Sequence, residues 1–436
     1  MHTLRCIAMI VVAVLLSLGM TPHVLWGQSA ASDQAILRYQ YLLRRNARDA
    51  TVYYRLGDAY IQKARESGDL TYIQLAEKTL QKCLEIAPEH SGAARHLAYA
   101  LYMRHAFDEA TMQAQRAVAL DPTDSHAYGI MGDAYLEVGK YEEAAQAYQR
   151  MVQLQEDLYA YSRLSALKSL QGDTDGAVAA LERAIHLGQA QERPAESRAW
   201  VMWQLGNEYF ARADLSAAES HYLKSLETFP GYYRSLAGLA QVRTAQQRYA
   251  EAIELYQRAM AIVPLPEYAS ALGDVHAKNG HADEAQKQYD LVEYIGYLNT
   301  MNKVLYNREL AYFYADHDRK LLEALDLARK ELEVRRDIYA HDVLAWVLYK
   351  NNAPEAALVA MTEALKLGTK DARLFFHAGM IHHRLGERAK ARDYLRRALA
   401  TNPHFHVLHM EVAEHALREI EAQLGAAVIQ EKSDGR

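Results

Sequence analysis

Histidine is the residue type through which this chain has most scope for chemistry. It occurs 19 times, and its spacing tightens toward the C terminus. His404, His406 and His409 fall within six positions, His415 follows, and the His382-His383 pair precedes them. Imidazoles at i and i+3 on one helix face share a zinc, nickel or copper ion when further ligands complete the shell. Metal sites draw those ligands from at least two elements, and the residues between these histidines add no donor. The expectation is therefore no metal and no cofactor, with His404, His406 and His409 as the alternative metal set.

Other reactive patterns are missing from the sequence. There is no Gly-rich phosphate loop, no Gly-x-Ser-x-Gly elbow and no His-Glu-x-x-His helix. Cys83 stands where a small buried residue is wanted and reads as core. The Glu142-Glu143 pair sits at a helix start, where carboxylates meet the positive end of the helix dipole. Asp316-His317-Asp318 reads as a capping turn. No residue is expected to be catalytic, and the protein is expected not to be an enzyme.

These side chains must be held by helices. Ala, Leu, Glu, Gln and Arg dominate every window, with only 9 Pro and 22 Gly in 436 residues. The 50% of hydrophobic residues are spread evenly instead of in blocks. A net charge of −6 offers no broad attraction to phosphate backbones, so nucleic acid is excluded as an expected partner.

At the N terminus, Arg5, the apolar run Ile7 to Leu18, Pro22 and the small residues Gly27, Ser29, Ala30 and Ala31 form the pattern of a secretory signal peptide over 1–31. A helix from Cys6 to Met20 would span about 22 Å, short of the hydrocarbon core. Cleavage is therefore favoured over a membrane anchor, and no stable membrane insertion is expected afterwards. Cys6 lies too early to accept a lipid. The mature chain keeps only Cys83, so packing alone must stabilise it. The expected location is periplasmic or secreted.

A period of 34 residues runs through the rest. Pro88 recurs as Pro122, and Pro230 as Pro264, each closing a similar apolar segment. Upstream stand Leu56-Gly57 with Tyr60, Met131-Gly132 with Tyr135, Leu205-Gly206 with Tyr209 and Leu272-Gly273 with His276. Downstream stand Ala110 with Ala114, Ala144 with Tyr148, Ala218 with Tyr222, Ala252 with Tyr256, Ala285 with Tyr289 and Ala391 with Leu395. Glycine in mid-helix costs about 0.5–1 kcal/mol against alanine, so its recurrence asks for a close helix approach. Proline then ends the second helix of each unit.

These motifs resemble the tetratricopeptide repeat (TPR), and the resemblance covers nearly the whole mature chain. It implies an all-α, right-handed superhelical solenoid of antiparallel helix pairs, with about ten repeats. Repeats are placed at 50–90, 91–124, 125–157, 158–190, 199–232, 233–265, 266–299, 304–337, 338–371 and 372–403. The first four (50–188) and the last six (199–403) are separated by a spacer at 189–198. A cap helix is expected at 32–49, another at 404–429, and a disordered tail at 430–436. The first repeat carries about seven extra residues near Glu66 to Tyr72, and the eighth has Ala311 in place of the glycine. The segments Tyr314 to Asp318, Leu344-Ala345-Trp346, His377 to Ile381 and Asn402 to Phe405 resemble a family of bacterial secreted TPR proteins of unassigned role.

The resemblance implies a concave wall formed by the first helix of each pair. Its groove is read at Tyr54, Asp58, Arg95, Tyr99, Asp133, Glu137, Trp203, Asn207, Phe210, Gln241, Asp274, Arg308, Tyr312, Asp342, Trp346, Tyr349, Arg373 and His383. Trp203 with Phe210, and Trp346 with Tyr349, read as exposed aromatic anchors for a partner or as packing between repeats. The basic residues are too scattered to clamp a peptide carboxylate. The expected function is a non-catalytic scaffold of the cell envelope that binds a partner peptide or helix in this groove. The alternative is a metal-handling accessory protein.

Overall fold

The computed structural model describes residues 26–301 and 307–434, with side chains from 31 to 298 and from 307 to 425. The expected leader lies outside them as far as residue 25, and so does the expected start of the eighth repeat at 304. The described residues contain helices and no strand. Helix α1 (Trp26–Arg45) leads into ten pairs. These are α2/α3 (Ala50–Ser67, Thr71–Ile86), α4/α5 (Ser91–Met103, Phe107–Leu120), α6/α7 (Ser125–Glu137, Tyr141–Leu154), α8/α9 (Leu158–Leu170, Thr174–Ala190) and α10/α11 (Ala195–Ala211, Leu215–Thr228). They continue as α12/α13 (Tyr233–Ala245, Tyr249–Ile262), α14/α15 (Pro266–Lys278, Ala282–Met301), α16/α17 (Asn307–Asp316, Leu321–Val334), α18/α19 (Ile338–Lys350, Pro354–Ala364) and α20/α21 (Ala372–Arg384, Arg388–Thr401). Helix α22 (His409–Asp434) closes the stack.

Each helix packs on the next, and the first helices of most neighbouring pairs also touch one another. The first helices therefore form the inner layer. The extra residues of the first repeat lengthen α2 to 18 residues. The stack is unbroken across 189–198, because α10 starts at Ala195 and packs on α9. The last helix starts later than its histidines suggest, leaving His404 to Leu408 in a turn, and it continues to Asp434 through a stretch without Gly or Pro beyond Gly425.

The glycines owe their positions to the partner helix. A Cβ on Gly132 would lie 2.4 Å from the Tyr148 ring, and one on Gly206 would lie 2.4 Å from Tyr222. Gly273 meets Tyr289 at 2.5 Å and Gly379 meets Leu395 at 2.7 Å. In each pair the large residue follows the glycine by the same interval, and only the first repeat, with its insertion, has Gly57 on the more distant Leu80. The alanines of the second helices, such as Ala144, Ala218 and Ala252, are fully buried and bring the helices together from the other side. Aspartates Asp49, Asp124, Asp157, Asp173, Asp214, Asp337 and Asp371 cap helix N termini through their side chains.

The solenoid closes on itself. Arg336 N–H donates to the carbonyl of Glu137 at 2.8 Å, and Ile338 N–H donates to the Tyr141 hydroxyl at 2.8 Å. Thr369 reaches the Leu170 carbonyl, and Asn402 Nδ2 reaches that of Phe210 at 2.9 Å. These partners are 192 to 199 residues apart, or about six 34-residue repeats. Successive superhelical turns therefore lie directly against each other. Gly139 and Gly172 make this approach possible. Both have a φ of +75°, and a Cβ would sit 2.5 Å from the Arg336 carbonyl oxygen or 2.6 Å from that of Gly368. The concave face is consequently the wall of a central bore between stacked turns, and the expected groove runs inside it.

Two outcomes follow for stability, both measurable by denaturant unfolding. Gly132→Ala drives a methyl into Tyr148 and is expected to cost about 1–3 kcal/mol, whereas Gly425→Ala, which meets nothing within 4 Å, should gain about 0.5–1 kcal/mol. Tyr141→Phe leaves the Ile338 N–H without its acceptor and should cost about 1–3 kcal/mol, with a larger radius of gyration in small-angle scattering as the turns part.

Candidate functional site: a bore of two joined cavities

Two cavities occupy the bore. One, of about 570 Å³, lies within the first turn between Arg65, Tyr99, Tyr102, Asp133, Glu137, Tyr159, Arg163, Glu196, Trp200, Tyr232, Tyr233 and Arg234. The second, of about 420 Å³, lies between Phe210, Gln241, Asp274, Lys278, Tyr312, Asp316, Arg373 and the turn His404 to Val407. Glu267 and Glu309 line both, so the cavities meet at these two carboxylates. Across the bore, Arg65 pairs with Glu196 at 2.7 Å.

Most charges here are satisfied by the protein. Arg163 holds Asp133 at 2.7 Å, Arg335 holds Glu137 at 2.7 Å and Glu331 at 3.0 Å, and Lys278 holds Glu411 at 2.5 Å. Burial raises the Glu137 carboxyl, and Arg335 works against that rise. Four charges are exceptions. Among the described residues, Arg234, Glu267, Glu309 and Arg373 have no ion-pair partner. Arg234 lies 5.2 Å from both the Trp203 and Tyr233 rings, and Arg373 lies 5.2 Å from the Tyr312 ring. Enclosure, reinforced by the charge of Glu309, pushes the Glu267 carboxyl up to about 7.

The expected groove residues divide accordingly. Tyr99, Asp133 and Glu137 line the first cavity, and Phe210, Gln241, Asp274, Tyr312 and Arg373 line the second. Tyr54 stacks on His96 at 5.1 Å, and Asp58 is half exposed beside it, 3.8 Å from the same ring. Arg95 and Arg308 tie the capping Asp124 and Asp337 of the next repeat, each at 2.9 Å. Trp203 is half-buried between repeats, and His383 is likewise half-buried. Trp346 and Tyr349 do not form an exposed pair. They are 2% and 9% exposed and stacked at 4.9 Å, because His377 of the next repeat covers Trp346 at 4.2 Å and Asp316 of the preceding one accepts its indole N–H at 2.7 Å. Asp342, fully buried, accepts from Tyr312 at 2.6 Å and faces His377 at 2.9 Å.

Position also corrects the meaning of the residue after each glycine. Asp133, Asn207 and Asp274 accept the hydroxyls of Tyr148, Tyr222 and Tyr289 at 2.8, 2.7 and 2.9 Å, the same tyrosines that pack on the glycines. Where leucine replaces tyrosine, as at Leu80, the acid is released, which explains the exposure of Asp58.

Sequence reading missed Arg234, Glu267 and Glu309, which occupy the first turns of α12, α14 and α16 and face the bore. It also missed the carboxylate that meets the C-terminal histidines. Asp316, His406 and His409 bring potential ligand atoms within 4.8 Å of one another, and His404 is not part of this group. Nearby, His317 directs Nδ1 at the Phe313 carbonyl at 2.7 Å and Nε2 at Asp274 at 2.7 Å. Burial opposes its charge, but Asp274 outweighs that and raises its pKa.

Fold and bore together define a helical-repeat solenoid whose inner layer of first helices faces an enclosed space. The tetratricopeptide-repeat family matches the chain over 50–90, 114–146, 131–192, 209–275 and 343–404. The chain belongs to this family, whose fold serves as a scaffold for protein–protein interaction. It is 27% identical to human protein O-mannosyl-transferase TMTC1 over 223 residues, 49% of this chain and 24% of that protein. It is 28% identical to the TPR repeat-containing protein MJ1428 of Methanocaldococcus jannaschii over 117 residues, 25% of this chain and 20% of that one. The chain thus spans about a quarter or less of the length of these relatives. Among solved structures, the human IFIT1 dimer with m7Gppp-AAAA aligns with a TM-score of 0.50 at 15% identity, over 76% of each chain. Yeast Tom70 aligns over 93% of this chain and 94% of its own, with a TM-score of 0.39 at 14% identity. Among the described residues no helix is long and apolar enough to cross a membrane.

The seam makes stability depend on pH. Arg335 donates to His105 Nε2 at 2.9 Å, so that nitrogen must stay unprotonated, and burial followed by the Arg335 charge lowers the His105 pKa to about 3. The unfolded chain binds this proton near pH 6.5 and the folded chain does not, so stability is intact above pH 6.5 and falls as pH drops toward 3. Denaturant midpoints between pH 6 and 4 should show His105→Gln, which keeps an acceptor for Arg335, removing up to about 1.4 kcal/mol per pH unit of that slope. The raised carboxyl of Glu267 acts in the opposite sense but is common to both proteins.

Proposed function

We propose that the protein is a non-catalytic interaction scaffold of the cell envelope that holds an extended segment of a partner protein inside its bore. The observation that carries this reading is the set of charges without ion-pair partners. Charges enclosed by protein are ordinarily paired, and in this bore Arg65, Arg163, Arg335 and Lys278 all are. Arg234 in the first cavity, Glu267 and Glu309 at the junction and Arg373 in the second are not. Along the bore they read positive, negative, positive. The complementary segment carries an acid, then a base, then an acid, with its side chains between Tyr99, Tyr233 and Tyr312. Cavities of about 570 and 420 Å³ match the pockets that take side chains and small ligands, whereas a helix about 10–12 Å across needs more room. An extended segment therefore fits better than a helix. The envelope location rests on the leader pattern at 1–31.

Glu267→Gln/Glu309→Gln keeps the shape of the junction and removes its repulsion, so this variant should unfold at higher denaturant than the parent. In affinity capture from the native envelope it should lose the partner that the parent retains, as should Arg234→Ala. Equal capture by parent and variants overturns the bore as the binding surface. Trp346→Ala is no test of binding, since Trp346 is core and its loss should cost about 3–5 kcal/mol.

A further inference from the structure

We infer a binding site for one divalent transition-metal ion, of the zinc type, formed by Asp316, His406 and His409 where the C-terminal turn crosses the second cavity. Three potential ligand atoms converge there within 4.8 Å of one another. They come from segments far apart in sequence, the last residue of α16 on one side and the terminal turn with the first residue of α22 on the other, as a metal site requires and as the histidines alone did not provide. All three are shielded, with side-chain exposures of 9% for Asp316, 13% for His406 and 8% for His409. Two imidazoles and a carboxylate form a donor set suited to zinc, with cobalt, nickel and copper as competitors.

His409 is 6% exposed, and its Nε2 faces Asp316 Oδ1 at 3.7 Å, a separation that an ion between the two would close. The surrounding shell is also of the kind that orients ligands. Trp346 N–H fixes Asp316 Oδ1 at 2.7 Å and leaves the other oxygen free. Asp274 lies 3.6 Å from His406 Nε2, outside the converging group, where it orients that ring.

Loading the ion requires a small rearrangement. Ligand atoms around a tetrahedral ion with bonds near 2.0–2.1 Å stand about 3.4 Å apart, closer than the 4.8 Å limit here. The His406 and His409 rings are stacked at 4.2 Å and 19°, and rotation of one ring turns its nitrogen toward Asp316. His406 Nδ1 now accepts from Leu408 N–H at 3.3 Å. Ligation through Nε2 moves the ring proton from Nε2 to Nδ1 and gives up that long contact, with no net proton release. The ion would then join the terminal turn to α16 across the mouth of the second cavity.

The test uses the full chain, tag-free and stripped with chelator, titrated with zinc in a calorimeter and with cobalt in a spectrophotometer. One ion per chain is expected, with the intense visible absorption of four-coordinate cobalt and a higher melting temperature in the loaded protein. His409→Ala and Asp316→Asn should each weaken binding at least tenfold, and His404→Ala should leave it unchanged. Asp316→Asn keeps an acceptor for Trp346, so its loss of binding is separable from misfolding, and circular dichroism verifies that each variant is folded. Failure of the folded parent to bind zinc stoichiometrically overturns the site, and so does binding that survives both ligand substitutions or depends on His404.

Discussion

The contact between a mid-helix glycine and the tyrosine of its partner helix governs everything larger in this molecule. With a Cβ only 2.4 Å from the ring at Gly132 and Gly206, no other residue lets the two helices approach so closely. That approach fixes how one repeat sits on the next, and in a solenoid a small rotation per repeat accumulates into the overall shape. Six repeats return the chain to its starting direction, and Ile338 then meets Tyr141 closely enough to donate a hydrogen bond. The bore exists because this local distance is repeated so consistently.

How much of this could be read from the sequence follows from the range of each interaction. The helix pairs, their boundaries and the need for close approach at Gly132, Gly206 and Gly273 all depend on residues within one repeat, and the 34-residue period displays them. The seam does not depend on such residues. Glu137 and Arg335 are far apart in sequence, and nothing in the local pattern around either marks the other as its partner. The same holds for Asp316, whose meeting with His406 and His409 depends on how the terminal turn folds back over the inner layer.

The groove assignment was limited differently. Asp133, Asn207 and Asp274 do face the inner layer, as their position after the glycine implies, yet they are engaged by the tyrosines that the glycines admit. The residue after the glycine does not by itself reveal this, since Asp58 follows Gly57 although Leu80 packs there, and Met380 follows Gly379 where Leu395 does. Trp346 was misplaced for a related reason, since helical spacing assigns a residue to a face but does not say whether the neighbouring repeat covers that face. His377 does so here.

Enclosure also determines how the bore can be entered. The apolar clusters are largely local, each spanning neighbouring repeats, and Tyr141 is the first-turn residue that joins the buried cluster of the last repeats. Leu136 and Leu170 pack against the same cluster, Arg335 lies over the Phe107 ring, and the other contacts between turns are hydrogen bonds and ion pairs around Glu137, Arg335, Thr369 and Asn402. Such bonds contribute only about 0.5–1.5 kcal/mol each once exchange with water is counted, while separating helices within a repeat exposes its apolar core. Parting the turns at the seam therefore costs less than pulling apart the helices of a repeat. Arg335 sits at the centre of that seam, bound to Glu137, Glu331 and His105 at once, so the residue that holds the bore closed also controls where it opens.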